Sequence, residues 1–452
     1  MQLSPMHLKS VSLFSGRLFR IPEYQRAYAW GSRQRADLFG DVLDIKRSGR
    51  EHFMATVVAL GRDTRKINAD EFKTVDIVDG QQRLTTLVIL LKASEKGLAL
   101  ESRTRRDIAE LLVKDDERTL LLLQTNHDSS SVFTHYILSG EIKTSESRTA
   151  ADLNILEAAK ECEAFVERWR AEGDLIELVD IIRNKLSFVY HEIADEATVY
   201  RVFEVLNSRG LDVKWIDKLK SQLMALLFEH VETGTRAESV REMQRLWGDI
   251  YRTLGQRGNL GDEALRFAGT WALKAQPNRV ISQEDAAAVL TETAGTKLKT
   301  IMASGEALKR VVEAVKELDD NVRLRAVTKI AHARFVATAI LIRQFDGASR
   351  ERLLAAWERV TFRIFGLAQA DTRYKVGEYV RLGYSIFASG LDAMEIEKRL
   401  IALGKDYAIA DVLNRPDYWE NSYEGWAEEV RYILFRYDEY LAASAGTNFN
   451  QS

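Results

Sequence analysis

An acid, a glycine, two amides and an arginine follow one another at Asp79-Gly80-Gln81-Gln82-Arg83. The run Phe72 to Val78 before them reads as a strand, and the apolar run Leu84 to Ala93 after them reads as a buried helix. The five residues therefore sit at a strand-to-helix turn, where uncapped N–H groups and the positive end of a helix dipole favour an anion such as a phosphate. Gly80 lets a ligand approach the backbone closely. Arg83 offers a planar fork to phosphate oxygens. Asp79 has the chemistry to hold a divalent cation, and Gln81 or Gln82 the chemistry to orient an attacking water. The plainer alternative is a helix start in which Asp79 pairs with Arg83 at i,i+4 spacing.

Two more segments have unusual composition. In Ile21-Pro22-Glu23-Tyr24-Gln25-Arg26-Ala27-Tyr28-Ala29-Trp30, Pro22 biases Ile21 towards an extended conformation. Tyr24, Tyr28 and Trp30 then alternate with Gln25 and Arg26. They form either a pocket that stacks a base of DNA or a modified nucleotide, or a set of core side chains. In Phe203-Glu204-Val205-Leu206-Asn207-Ser208-Arg209-Gly210, a helix is expected to stop at Gly210, and a second helix to start near Trp215.

In this order and spacing the three segments resemble the N-terminal domain of GmrSD-type restriction enzymes, a ParB/sulfiredoxin-like nucleotidase fold. The matches are Ile21 to Trp30, Asp79 to Leu87 and Phe203 to Gly210. Phe53 to Val58 matches more weakly, with Ala55 where the family often has glycine. The resemblance implies antiphage defence, commonly against DNA with modified bases or a phosphorothioate backbone. It implies hydrolysis of GTP or another nucleoside triphosphate with Mg²⁺, through Asp79, Gly80, Gln81, Gln82 and Arg83, with Asn207 and Arg209 approaching the nucleotide. Tyr24, Gln25, Arg26, Tyr28 and Trp30 would read DNA or brace the pocket. An HNH-type nuclease is expected outside these 452 residues, as a continuation or as a separate subunit. The segment Arg363 to Gly366, with Asp371, Arg373 and Val376 to Val380 after it, looks most like the SspE-like phosphorothioate-sensing branch. A non-hydrolysing, nucleotide-switched DNA-binding adaptor is the alternative function.

Competing chemistries lack their motifs. The sequence holds no Gly-x-x-x-x-Gly-Lys-Ser/Thr loop, no Gly-x-Ser-x-Gly elbow and no His-Glu-x-x-His. The seven histidines are scattered, and the one cysteine, Cys162, cannot form an internal disulfide. A cytoplasmic protein with no membrane segment is expected. Net charge is −3, which excludes a globally basic nucleic-acid binder. Residues 1–35 nevertheless carry six Lys and Arg side chains against one acid, Glu23, a candidate DNA-contacting patch. A second cluster, Arg103, Arg105 and Arg106, reads as a solvated loop.

The fold expected is α+β and predominantly helical. Strands at 11–20, 53–61, 72–78 and 186–193 would form a small mixed sheet with a helix at 81–96. Helices at 107–125, 151–172 and 174–184 would be inserted, and a helical bundle would follow from about 229 to 443, with a flexible tail at 444–452. The first domain, the nucleotidase and sensor, would span 1–228. The long helical half is compatible with a homodimer.

Overall fold

The structure is a computed structural model. It describes residues 6–22, 25, 27–114, 120–124, 130–143, 149–193, 214–388, 390–413 and 427–447. Two compact units divide the chain: residues 1–258 with 296–298, and residues 259–295 with 299–452. Among the described residues, no helix is long and apolar enough to cross a membrane.

The first unit is built on a six-stranded mixed sheet. Its strands are β1 (Met6–Lys9), β2 (Arg17–Ile21), β3 (His52–Ile67), β4 (Asp70–Asp79), β5 (Leu122–Gln124) and β6 (Leu186–Ile193), in the order β1-β6-β3-β4-β2-β5. β4 lies inside, antiparallel to β3 and parallel to β2. Side chains of a strand point alternately to the two faces. Val75 and Ile77 accordingly join one core, with Val57 and Ala59 of β3 and Phe19 and Ile21 of β2. Asp76 and Val78 point the other way and are buried too. A sheet covered on both faces explains why β4 ends in an almost continuous apolar run.

Helices α1 (Ser10–Phe14), α2 (Ser32–Ser48), α3 (Gln81–Gly97), α4 (Arg103–Leu112), α5 (Ser130–Ser139), α6 (Ala150–Glu172) and α7 (Leu175–Asp180) accompany the sheet. α8 (Trp215–His230) and α9 (Thr233–Leu254) complete this unit. Every residue from Leu84 to Glu95 of α3 is buried, the signature of a helix enclosed on all sides. It packs against α6, whose start is fixed by a capping box between Thr149 and Asp152. Phe39 of α2 stacks on Phe165 of α6, with ring centroids 4.5 Å apart.

Several boundaries differ from the sequence expectation, for topological reasons. Residues 10–14 are helical, and only Arg17–Ile21 of the expected 11–20 strand is extended. β1 and β2 are separated in the sheet by three other strands, so the chain must leave the sheet between them. The helix expected over 107–125 stops at Leu112, because Leu122–Gln124 is drawn into the sheet beside β2. α2 and α5 were not anticipated, although Leu38, Phe39, Val42 and Ile45 bury one face of α2 at helical spacing. The helix expected to stop at Gly210 lies outside the described residues.

The second unit is helical: α10 (Leu260–Ala272), α11 (Gln283–Ala294), α12 (Leu298–Asp320), α13 (Val322–Val327), α14 (Ala331–Ile342), α15 (Gly347–Thr361), α16 (Val376–Ala388), α17 (Ala393–Leu403), α18 (Ile409–Leu413) and α19 (Ala427–Ser444). Ser282, Asn321, Asp346 and Asp392 cap α11, α13, α15 and α17. An aromatic column of Phe335, Trp271 and Phe387 runs through this unit, with successive centroids 4.5 and 4.9 Å apart.

A carboxylate is buried in the sheet. The Asp76 carboxylate, fully enclosed, accepts Arg20 Nε at 2.5 Å and Nη2 at 2.8 Å, and Arg62 Nε at 2.6 Å. Arg20 on β2 and Arg62 on β3 thus clamp β4 from both sides. Asp76→Ala would take this carboxylate away from both guanidiniums, which are 40% and 32% exposed and can partly rehydrate. A loss of about 2–3 kcal/mol, below the range for a fully buried pair, is the expected result in denaturant unfolding.

Candidate functional site: the strand-to-helix turn

β4 stops because Gly80 adopts φ +90°, a left-handed conformation that glycine tolerates. It also lies flat on β3: a Cβ at this position would stand 3.1 Å from Val57 Cγ2 and 3.2 Å from the Thr56 carbonyl oxygen. The helix therefore begins at once at Gln81, with no side chain capping it. Its first internal bond runs from Leu84 N to the Gly80 carbonyl at 3.1 Å. The N–H groups of Gln81, Gln82 and Arg83 consequently have no carbonyl within the helix to donate to. Asp79 is half-buried at the mouth of the turn, and Arg83 is exposed.

The two glutamines have different roles. Gln82 is committed to the backbone of the aromatic segment. Its Oε1 accepts Ala29 N at 2.8 Å and Trp30 N at 3.3 Å, while its Nε2 donates to the Ala27 carbonyl at 3.1 Å. Gln81 is 6% exposed, and its Oε1 has no hydrogen-bond partner. A buried acceptor without a donor is costly, so this oxygen is suited to receive one from water or a ligand. Gln25 behaves similarly. Its Nε2 donates to the Val78 carbonyl at 2.9 Å, its Oε1 is unsatisfied, and its own carbonyl accepts Lys220 Nζ of α8 at 3.4 Å.

Segment 27–30 is pinned by further contacts. The Tyr28 hydroxyl bonds Thr86 Oγ1 at 2.8 Å, and Asn154 Nδ2 donates to the Tyr28 carbonyl at 3.3 Å. Arg35, fully buried, donates to the Trp30 carbonyl and holds Glu161 with two 2.7 Å bonds. Burial pushes the Tyr28 phenol up to about 12, so it stays protonated and is no general base near neutral pH. Tyr28 and Trp30 are 3% and 5% exposed, inside the core cluster. Of the two alternatives the sequence left open, a stacking pocket or core side chains, these two rings take core positions beside the turn. Trp30 also meets the motif directly, since the Arg83 guanidinium lies over its ring at 5.8 Å. Among the described residues, no carboxylate pairs with Arg83, so the plain Asp79–Arg83 ion pair does not form.

The N-terminal basic run is also redistributed. Lys9 pairs with Glu51, Arg20 with Asp76, and Arg35 with Glu161, while Arg17 donates to three carbonyls of residues 12–15 and lies over Tyr190. Three of the six cations, Lys9, Arg20 and Arg35, are thus paired with acids from elsewhere in the fold. Arg105 pairs with Glu95 instead of standing in a solvated loop. Tyr24, Arg26, Asn207 and Arg209 lie outside the described residues. The supports Arg35, Thr86, Asn154 and Glu161 were missed by sequence reasoning. Only Thr86 sits within a noticed motif, and the partner of Arg35 is 126 positions away.

The geometry defines a class: an α+β domain with its polar motif at an uncapped helix start on the sheet's interior strand. Residues 11–224 match the family model of the GmrSD restriction endonuclease, N-terminal domain. This segment is a GmrSD-type N-terminal domain, a module of a restriction-enzyme family. No curated protein gives a significant match to the chain.

The two amides should separate in stability measurements. Gln82→Ala removes three hydrogen bonds to the backbone of residues 27–30, one buried and two part-buried, and a loss of about 2–3 kcal/mol is expected in denaturant unfolding. Gln81→Leu discards an unsatisfied acceptor and should be neutral within about 0.5 kcal/mol. Equal destabilisation by both changes would contradict the division of roles.

Proposed function

We propose that the turn binds and hydrolyses a nucleoside triphosphate, GTP being the first candidate, as the sensor switch of a modification-dependent restriction system. The observation that carries this reading is the uncapped start of α3 behind Gly80, with a spare buried acceptor on Gln81 beside it. Three N–H groups at a helix start suit phosphate oxygens. Arg83, stacked on Trp30, is the mobile cation that follows the terminal phosphate. The Gln81 Oε1 would accept a hydrogen bond from the attacking water and align it with the phosphorus. Gln82 acts indirectly by holding residues 27–30.

Among the described residues no cluster of three His, Cys, Asp or Glu side chains offers a complete metal cage. Asp79 is the carboxylate at the turn itself, while Asp76 lies within the sheet between its two arginines. One carboxylate with substrate phosphates and waters is a usual Mg²⁺ environment, so the residues fit that ion. When bound, Mg²⁺ supplies neutralisation of phosphate charge. We assign Asn207 and Arg209 to the nucleotide, and Tyr24 and Arg26 to modified DNA, with a phosphorothioate backbone among the candidates. An HNH-type nuclease would act on the signal.

The test is phosphate release from GTP, ATP, CTP and UTP with Mg²⁺, in the presence of plain or phosphorothioate DNA. Asp79→Ala and Gln81→Ala should each lower turnover, on the order of a hundredfold if they contact the transition state. Modified DNA should stimulate the wild type. Nucleotide binding without turnover would replace this reading with the non-hydrolysing adaptor. Turnover indifferent to both substitutions would place the site elsewhere.

A further inference from the structure

α19 has two opposed faces. One is docked within its unit: the Tyr432 hydroxyl donates to the buried carboxylate of Glu358 on α15, and Arg436 lies 3.3 Å from the same group. Arg323 of α13 reaches Glu358 at 3.4 Å, and the rings of Phe362 and Tyr432 are 4.2 Å apart. Arg436 also pairs with Glu439, and Glu428 pairs with Lys329. These charges are satisfied inside the molecule.

The opposite face is apolar and open. Val430, Leu434, Tyr437 and Leu441 recur at spacings of four, three and four, the seam of a two-helix coil. Ile433 and Tyr440 widen it on one side. Leu434, Tyr437 and Tyr440 are 55%, 56% and 65% exposed, an unusual amount of contiguous apolar surface. On the other side of the seam stand Arg431 and Asp438, two turns apart. Both are exposed, and neither forms an ion pair among the described residues. The charges on the docked side are therefore paired, whereas these two, flanking the apolar seam, are not.

We propose that this face of α19 binds a second copy of the chain, with the two helices antiparallel. A two-fold interface must be self-complementary: if one residue meets another, the reverse contact forms as well. In an antiparallel pair, Arg431 of one copy comes beside Asp438 of the second, and Asp438 beside Arg431. The seam residues Leu434 and Tyr437 meet each other across the axis. A parallel pair would instead set Arg431 and Asp438 against the apolar flank of Ile433 and Tyr440. The charge pattern thus selects both the occupant and its direction.

Sedimentation of the full chain over about 1–100 µM, the range in which a short two-helix interface should respond, is the test. The wild type is expected to dimerise reversibly, and Tyr437→Glu to be monomeric throughout. Arg431→Asp and Asp438→Arg each place like charges opposite one another, so each alone should weaken the dimer about tenfold. Mixing those two variants should restore dimers, because one copy then carries only acids and the other only bases at the facing positions. Circular dichroism of each variant reports whether α19 is still folded. A wild type that stays monomeric over this range overturns the proposal and leaves the seam to another protein. Dimers indifferent to Tyr437→Glu overturn it too, since they must use a different face.

Discussion

Gly80 is the constraint on which the site depends. β4 runs through the interior of the sheet and must stop without losing its place beside β3. A left-handed residue with no side chain does this in one step, lying 3.2 Å (from its missing Cβ) above the Thr56 carbonyl. A larger residue would meet both a forbidden backbone conformation and a contact with backbone that cannot move aside. Because the turn is so short, α3 starts with no residue free to cap it. The open N–H groups follow from the close packing of the turn rather than from a separate design.

The rest of the site is scaffolding for that start. Gln82 and Thr86, one helical turn apart on α3, hold the backbone and the phenol of segment 27–30. Arg35 and Asn154 grip the same segment from α2 and α6. Gln25 ties it back to the end of β4, and Lys220 ties it to α8. Tyr28 and Trp30, in a stretch that resembles a ligand pocket in composition, are thus held in the core. The stretch presents one ring, Trp30, as the platform for Arg83. A change in the turn would be felt by α8 through a chain of only two hydrogen bonds, from the Val78 carbonyl to Gln25 and from Gln25 to Lys220.

Much of this was legible in the sequence where signals are local. The strand, turn and helix around Asp79 to Arg83 are announced by an alternating run, a glycine and an apolar run. β6 and most helices of the second unit carry their own periodicity. The roles of the two glutamines were not legible, because Gln82 is defined by partners 52 to 55 positions away. Half of the N-terminal basic run was not legible for the same reason, since Glu51, Asp76 and Glu161 pair with Lys9, Arg20 and Arg35 only after folding. The helix at Ser10–Phe14 and the strand at Leu122–Gln124 were hidden because sheet order, not local propensity, decides both.

The central claim is that phosphate oxygens seat on the first turn of α3. Hydrogen exchange of the backbone amides, with and without a non-hydrolysable triphosphate and Mg²⁺, tests it most directly. The account predicts that the amides of Gln81, Gln82 and Arg83, which lack carbonyl partners within the helix, exchange markedly more slowly once nucleotide is bound. Nucleotide that binds while exchange at these three positions stays the same would contradict it.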